Sequence, residues 1–207
     1  ANAVVAIDPK TFEVKDWFAG DAPFTSSPVA FSDGTRDFAA AAAGDGRLYV
    51  FDGKALGGSD HKTPLARSTT YSTPAADFSA GAVSTWQDGD GVRWLLVASA
   101  GPVAAETKFK TANGAVTGGT IAAFTIRNQS GAVSLEPAWT SRDLTTPAPP
   151  IVLNDVVFAL STGAFRGGDA HLAAAEQIAR STPAVLYALD AKSGKELWNS
   201  GRTIAAS

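Results

Sequence analysis

Six aspartates, Asp33, Asp37, Asp45, Asp88, Asp90 and Asp155, are the side chains of this sequence most able to hold a hard cation or accept a proton from an alcohol. Calcium takes 6 to 8 oxygen ligands, so such a site needs several carboxylates converging from distant parts of the chain. Nearly all six stand beside Gly or Asn instead, and Asp45-Gly46 and Asp90-Gly91 are hairpin signals in themselves. Asp is a default turn residue because its carboxylate bonds its own backbone, so the expectation is turn formation, with no metal ligand and no catalytic residue assigned. His61 and His171 are the only histidines, each beside or near an Asp in a connecting segment. A zinc site normally needs three or four ligands, and no Gly-x-Ser-x-Gly pattern marks an activated serine. Cysteine is absent, which removes thiolate chemistry and disulfides.

Two glycine-bounded stretches, Gly101 to Gly118 and Gly163 to Pro183, carry the remaining polar candidates. The first holds Glu106, Lys108 and Lys110; the second holds Phe165, Arg166, Asp169, His171 and Glu176. Long connections in a compact domain tend to be functional, so Lys108, Arg166 and His171 are candidates for a ligand-binding rim, with Trp86 as a candidate for lining a channel. The competing expectation is that both stretches pack as covers over their neighbours. One helix is expected, over Asp169 to Arg180, capped by Asp169, with Leu172, Ala175 and Ile178 or Ala179 on one face.

The elements that must position these residues are short strands. Val185, Tyr187 and Leu189 alternate toward one face, Asp190 to Gly194 supply turn chemistry, and Glu196 to Trp198 resume an extended chain. Partial copies of this unit start at Ala6 (Ala6-Ile7-Asp8-Pro9-Lys10-Thr11-Phe12, then Trp17), around Val50 (Leu48 to Gly53) and around Ala123 (Ile121 to Phe124, then Gly131 and Trp139). In the first copy Phe12 replaces the turn Gly and Trp17 arrives one residue late. Repetition at a few tens of residues is the mark of a propeller or solenoid. Reading outward from the copies gives fourteen strands. They form a half-blade over 1–20 and four-stranded antiparallel blades over roughly 21–71, 72–143 and 144–204, with both glycine-bounded stretches between second and third strands.

The unit Ala188-x-Asp190-x-x-Ser193-Gly194-x-x-x-Trp198 resembles the repeat of the pyrroloquinoline-quinone-type (PQQ-like) β-propellers, of the quinoprotein-alcohol-dehydrogenase-like superfamily, with Ser193 where Thr is usual. The resemblance implies an all-β propeller whose Trp17, Trp139 and Trp198 fill gaps between blades. It also implies a bacterial protein, periplasmic or secreted. Three readings are compatible with it: a scaffold binding a small ligand or a protein, part of a quinoprotein alcohol dehydrogenase using pyrroloquinoline quinone and calcium, or an interaction propeller resembling the outer-membrane assembly lipoprotein of the same repeat family, with an apolar or charged patch exposed on one face. Three and a half blades cannot close a ring, so missing strands are expected from another segment or another copy.

Composition narrows the remaining classes. With 17 basic and 20 acidic side chains and no basic cluster interleaved with aromatics, nucleic acid is not an expected partner. No apolar run approaches the roughly 20 residues that span a bilayer. Hydrophobic residues make up 45% of the chain, enough for a large core.

Overall fold

The structure is a computed structural model, and it describes residues 2–73, 78–129, 131–165 and 172–204. Sixteen strands occur among these residues. A hairpin of β1 (Ala3–Ile7) and β2 (Val14–Ala19) leads in, followed by β3 (Ser26–Ser27) and β4 (Val29–Ser32). β4 pairs with β5 (Asp37–Ala42), which pairs with β6 (Leu48–Asp52) and then β7 (Ala66–Arg67), making the first four-stranded sheet. The second is built from β8 (Gly81–Gln87), β9 (Arg93–Ala100), β11 (Gly119–Gln129) and β12 (Ala132–Thr140), with β10 (Thr111–Ala112) added outside β12 and β3 added inside β8. The third is β13 (Ile151–Leu153), β14 (Val156–Ser161), β15 (Val185–Asp190) and β16 (Glu196–Asn199). Inner strand β8 lies alongside both β4 and β13. The assembly is a partial β-propeller: three blades and a hairpin arranged as an arc.

Each of the fourteen expected strands has a counterpart; β3 and β10 are additional. Both are two-residue parallel pairings, Ser26 with Gly81 and Thr111 with Trp139, which tie one blade's lead-in or insertion to a strand already present. The expected helix is shorter than its pattern. It runs over Ala174–Arg180 as α1 with Ala173 at its N-cap, so Asp169 is not the cap, and Asp169 itself lies outside the described residues. None of its residues is buried and Ile178 faces solvent, so the apolar face read from Leu172, Ala175 and Ile178 does not pack into the core.

Local chemistry explains the hairpins. Gly46 and Gly91 adopt φ of +72° and +80°, and the aspartates that close the turns are Asp45, whose Oδ1 accepts the Arg47 N–H at 3.1 Å, and, rather than Asp90, Asp88, whose Oδ1 accepts the Asp90 and Val92 N–H groups at 3.0 and 2.8 Å. The main core lies between the three blades, from Phe38 and Val50 through Leu95, Leu96, Ile121 and Phe124 to Val157 and Leu189. A second core seats the hairpin on the first blade through Val4, Phe18, Tyr49, Phe51 and Leu56.

One joint shows how one blade grips the next. The Trp139 ring is fully buried and its Nε1–H donates to the Ala191 carbonyl at 3.0 Å, in the turn of the third blade. Gly194 lies directly against that ring. A Cβ built there would fall 2.3 Å from Trp139 Cε3, and its φ is +70°, so a side chain is barred by both contact and backbone conformation. Gly131 provides the control, with φ of +89° but nothing within 4 Å of a Cβ. Gly194→Ala is expected to lower the urea-unfolding free energy by about 3 kcal/mol, combining overpacking and backbone strain. Gly131→Ala, bearing the strain alone, is expected to cost about 1 kcal/mol.

Candidate functional site

Of the four side chains proposed from sequence, Trp86 and Lys108 lie among the described residues. Arg166 and His171 lie outside the described residues. Trp86 sits near the end of β8, opposite Trp94 on β9 with ring centroids 5.6 Å apart, and is partly buried against the core next to the Asp88 turn. Lys108 is exposed in the connection between β9 and β11. In a four-stranded antiparallel meander the first turn and the second connection lie at opposite ends of the sheet, so Trp86 and Lys108 belong to opposite faces of the arc.

The stretch from Gly101 to Gly118 acts as a cover. Ala104 N–H donates to the Tyr71 carbonyl at 2.9 Å, the Thr107 hydroxyl donates to the Thr70 carbonyl at 2.6 Å, and Phe109 packs edge-on against Phe124. Further along, the Asn113 amide donates both to Thr140 and, across the blade boundary, to Ser193. A cleft of about 450 Å³ remains beside Asn113, lined also by Arg142, Asp143, Gly194, Lys195 and Glu196. Arg142 and Glu196 pair across it at 2.7 Å, with the guanidinium resting on the Tyr187 ring.

The carboxylates described here serve turns and blade junctions. Asp8 Oδ1 accepts the Lys10 and Thr11 N–H groups, Asp190 Oδ1 accepts from Ser193, and Asp143 Oδ1 accepts from Thr117, Gly118 and Gly119. No group of three or more His, Asp or Glu side chains able to hold a metal occurs among the described residues. Asp88 is buried and joins two blades: its Oδ2 accepts the Trp94 indole N–H at 3.0 Å and faces Lys192 of the third blade at 3.8 Å, while Asp90 pairs with the same lysine at 2.6 Å.

The tryptophans separate into three environments. Trp139 lies opposite Ala123, with a β-bulge in the pairing beside it, and is covered by the third blade. Trp198 lies opposite Ala188 with the same bulge, yet is 55% exposed. Trp17 departs from the expected packing role: Ala6 pairs with Asp16, so the one-residue delay turns Trp17 to the opposite face of the hairpin. There it is 43% exposed and stacks on His61 at 3.7 Å, while Asp16 takes the inward place and accepts the Leu56 N–H.

Register extends the Trp198 position into a stripe. Ile151 pairs with Phe158, Phe158 with Ala188, and Ala188 with Trp198, so one residue from each strand of the third blade shares a row. The matching row of the second blade is Ser84, Leu96, Ala123 and Trp139. That row is closed by the third blade, with the Ser84 hydroxyl donating to the Pro150 carbonyl and Trp139 seated on Gly194. In the third blade Ile151 and Trp198 are exposed at the two ends of the row, with Leu153 and Leu197 exposed beside them. The repeat gives Trp198 a gap-filling place, and here the indole is exposed, in keeping with a ring that three and a half blades cannot close.

No family model matches this chain, and no curated protein matches it. Among solved structures it is similar to BamB from Moraxella catarrhalis, with a TM-score of 0.52 at 15% identity over 96% of this chain. The match takes in 46% of that structure, so the chain spans about half its length. The likeness is one of fold.

Acid should loosen the turn network. Hydrogen bonds from the Thr35 hydroxyl and N–H hold Asp33 at about 2, against an ordinary value of 3.8. Burial works against ionisation of Asp88, but the bonds from Trp94, Val92 and Asp90 overcome it and hold that group below the ordinary value too. Both folded values are depressed, so their stabilisation is present above the unfolded value near 4 and is lost as pH falls toward 2. Urea unfolding is expected to show stability declining over that window. Asp88→Asn is expected to be less stable by about 1–2 kcal/mol at pH 7 and to decline less steeply in acid.

Proposed function

We propose that this chain is a protein-interaction scaffold built from PQQ-type repeats and working in the envelope or surroundings of a bacterial cell. The observation that carries the proposal is the pair of exposed apolar edges of the third blade, Ile151 and Leu153 on β13 and Leu197 and Trp198 on β16. Exposed apolar patches mark interaction sites. The hairpin at the other end of the arc adds Val5, Ile7, Val14, Trp17 and Phe12, the last 80% exposed. Aromatic residues of this kind supply large contact area at low entropic cost and are enriched where proteins meet. No helix among the described residues is long and apolar enough to cross a membrane. The extracytoplasmic setting rests on the resemblance of the Ala188 to Trp198 repeat.

The dehydrogenase alternative requires this chain to hold quinone and calcium. Adding both to the purified protein is expected to leave its melting temperature within about 1 °C, with no protein-bound quinone absorbance after desalting and no dye reduction with primary alcohols. Stoichiometric bound chromophore with a rise of several degrees would establish the dehydrogenase reading and overturn the scaffold.

A further inference from the structure

We propose that Asn113 is a site of spontaneous deamidation, and that its conversion to aspartate or isoaspartate releases the end of the Gly101 to Gly118 cover from the third blade. Among the five asparagines of the sequence, Asn113 alone precedes a glycine.

The reaction needs a backbone nitrogen able to reach the preceding side chain. The Gly114 nitrogen, once it has lost its proton, attacks Asn113 Cγ. The new N–C bond forms as the Cγ–Nδ2 bond breaks, and the amide nitrogen leaves as ammonia with the proton that Gly114 gave up. Water then opens the five-membered imide at either carbonyl, so one water is consumed, one ammonia is released, and nothing is oxidised or reduced. Glycine favours the attack because no Cβ crowds its nitrogen. The surroundings are open as well: Gly114 is exposed, nothing lies within 4 Å of a Cβ built on it, and its N–H has no hydrogen-bond acceptor among the described residues.

The Asn113 amide works as a latch in this fold. Asn113 follows directly on β10, whose two residues pair with β12, and its N–H donates to the Thr140 carbonyl at 3.2 Å. Its side-chain amide donates to the same carbonyl at 2.8 Å and, across the blade boundary, to the Ser193 carbonyl at 2.9 Å. Both acceptors are carbonyls, so only a nitrogen can face them. A carboxylate in that place has no proton to donate and sets a negative charge against two carbonyl oxygens. Losing both bonds from so short a pairing frees β10, while Ala104 and Thr107, bonded to Tyr71 and Thr70, keep the first half of the cover in place. The same two bonds fix the side chain, so in the folded protein the ring closes only when the segment opens locally. The conversion is irreversible, and released chains accumulate as the protein ages.

Aged protein provides the test. The chain is incubated in mildly alkaline buffer, both folded and in urea, and each asparagine is followed by peptide mass mapping. In urea Asn113 is expected to convert about tenfold faster than the other four asparagines. In the folded chain it is expected to convert measurably, but about tenfold slower than in urea. The deamidated fraction, separated by ion exchange through its added negative charge, is then treated with trypsin. Cleavage after Lys108 and Lys110 is expected about tenfold faster than in unmodified chain, with cleavage after Lys54 in the first blade unchanged. Asn113→Asp, made directly, is expected to copy that pattern, and Asn113→Ala, which loses the donors without gaining charge, to show a smaller increase. Conversion of Asn113 no faster than that of Asn199 in urea, no conversion in the folded chain, or a folded rate equal to that in urea overturns the inference. So does cleavage at Lys108 and Lys110 that deamidation leaves unchanged, or that rises equally at Lys54 through loss of the whole fold.

Discussion

The contact between Trp139 and Gly194 is the constraint on which the arrangement of blades depends. A single indole bonds to one carbonyl and lies against a residue that has no side chain, so two neighbouring sheets approach closely at that point. The surrounding polar groups agree with it. Asn113 bridges Thr140 and Ser193, Lys192 reaches Asp90 and Asp88, and Ser84 donates to Pro150, all across the same boundary. The turn of the third blade is thus held from several directions, and its Asp190 to Gly194 chemistry is needed both to reverse the chain and to receive the neighbour.

The same device is used three ways. In the second blade it is complete. In the hairpin a one-residue delay moves the tryptophan to the other face, where a stack on His61 replaces the joint and Asp16 works inward through the Leu56 amide. In the third blade the tryptophan is correctly placed but uncovered. Repeat proteins and propellers commonly bury each unit against the next, and the proposed interaction surface is centred on a repeat position that this structure leaves exposed. This is why the scaffold reading is centred on the edge of the arc rather than on a channel.

Much of the fold was legible because it is written in local chemistry. Alternation at Val185, Tyr187 and Leu189, and Asp-Gly pairs at 45–46 and 90–91, need no tertiary information to read as strands and hairpins. Strands β3 and β10 were not legible, since two residues carry no period and their pairing is decided by where another blade lies. The face taken by Trp17 was missed because strand register, unlike spacing in sequence, changes sign with one residue. The candidate site was less legible than the fold. Long connections suit a rim, but in Gly101 to Gly118 the Thr107 and Asn113 side chains bond to Thr70 and Ser193, and the exposed apolar ends of the third blade emerge only when its four strands are set in register.

The central claim is that three tryptophans of similar sequence context occupy different environments, one closed and two open. Hydroxyl-radical footprinting with mass spectrometry of the purified chain reads this directly, peptide by peptide. The account predicts that Trp198 and Trp17 are oxidised about tenfold faster or more than Trp139, in keeping with exposures of 55%, 43% and 0%. Equal oxidation of Trp198 and Trp139 in the monomeric chain would contradict it.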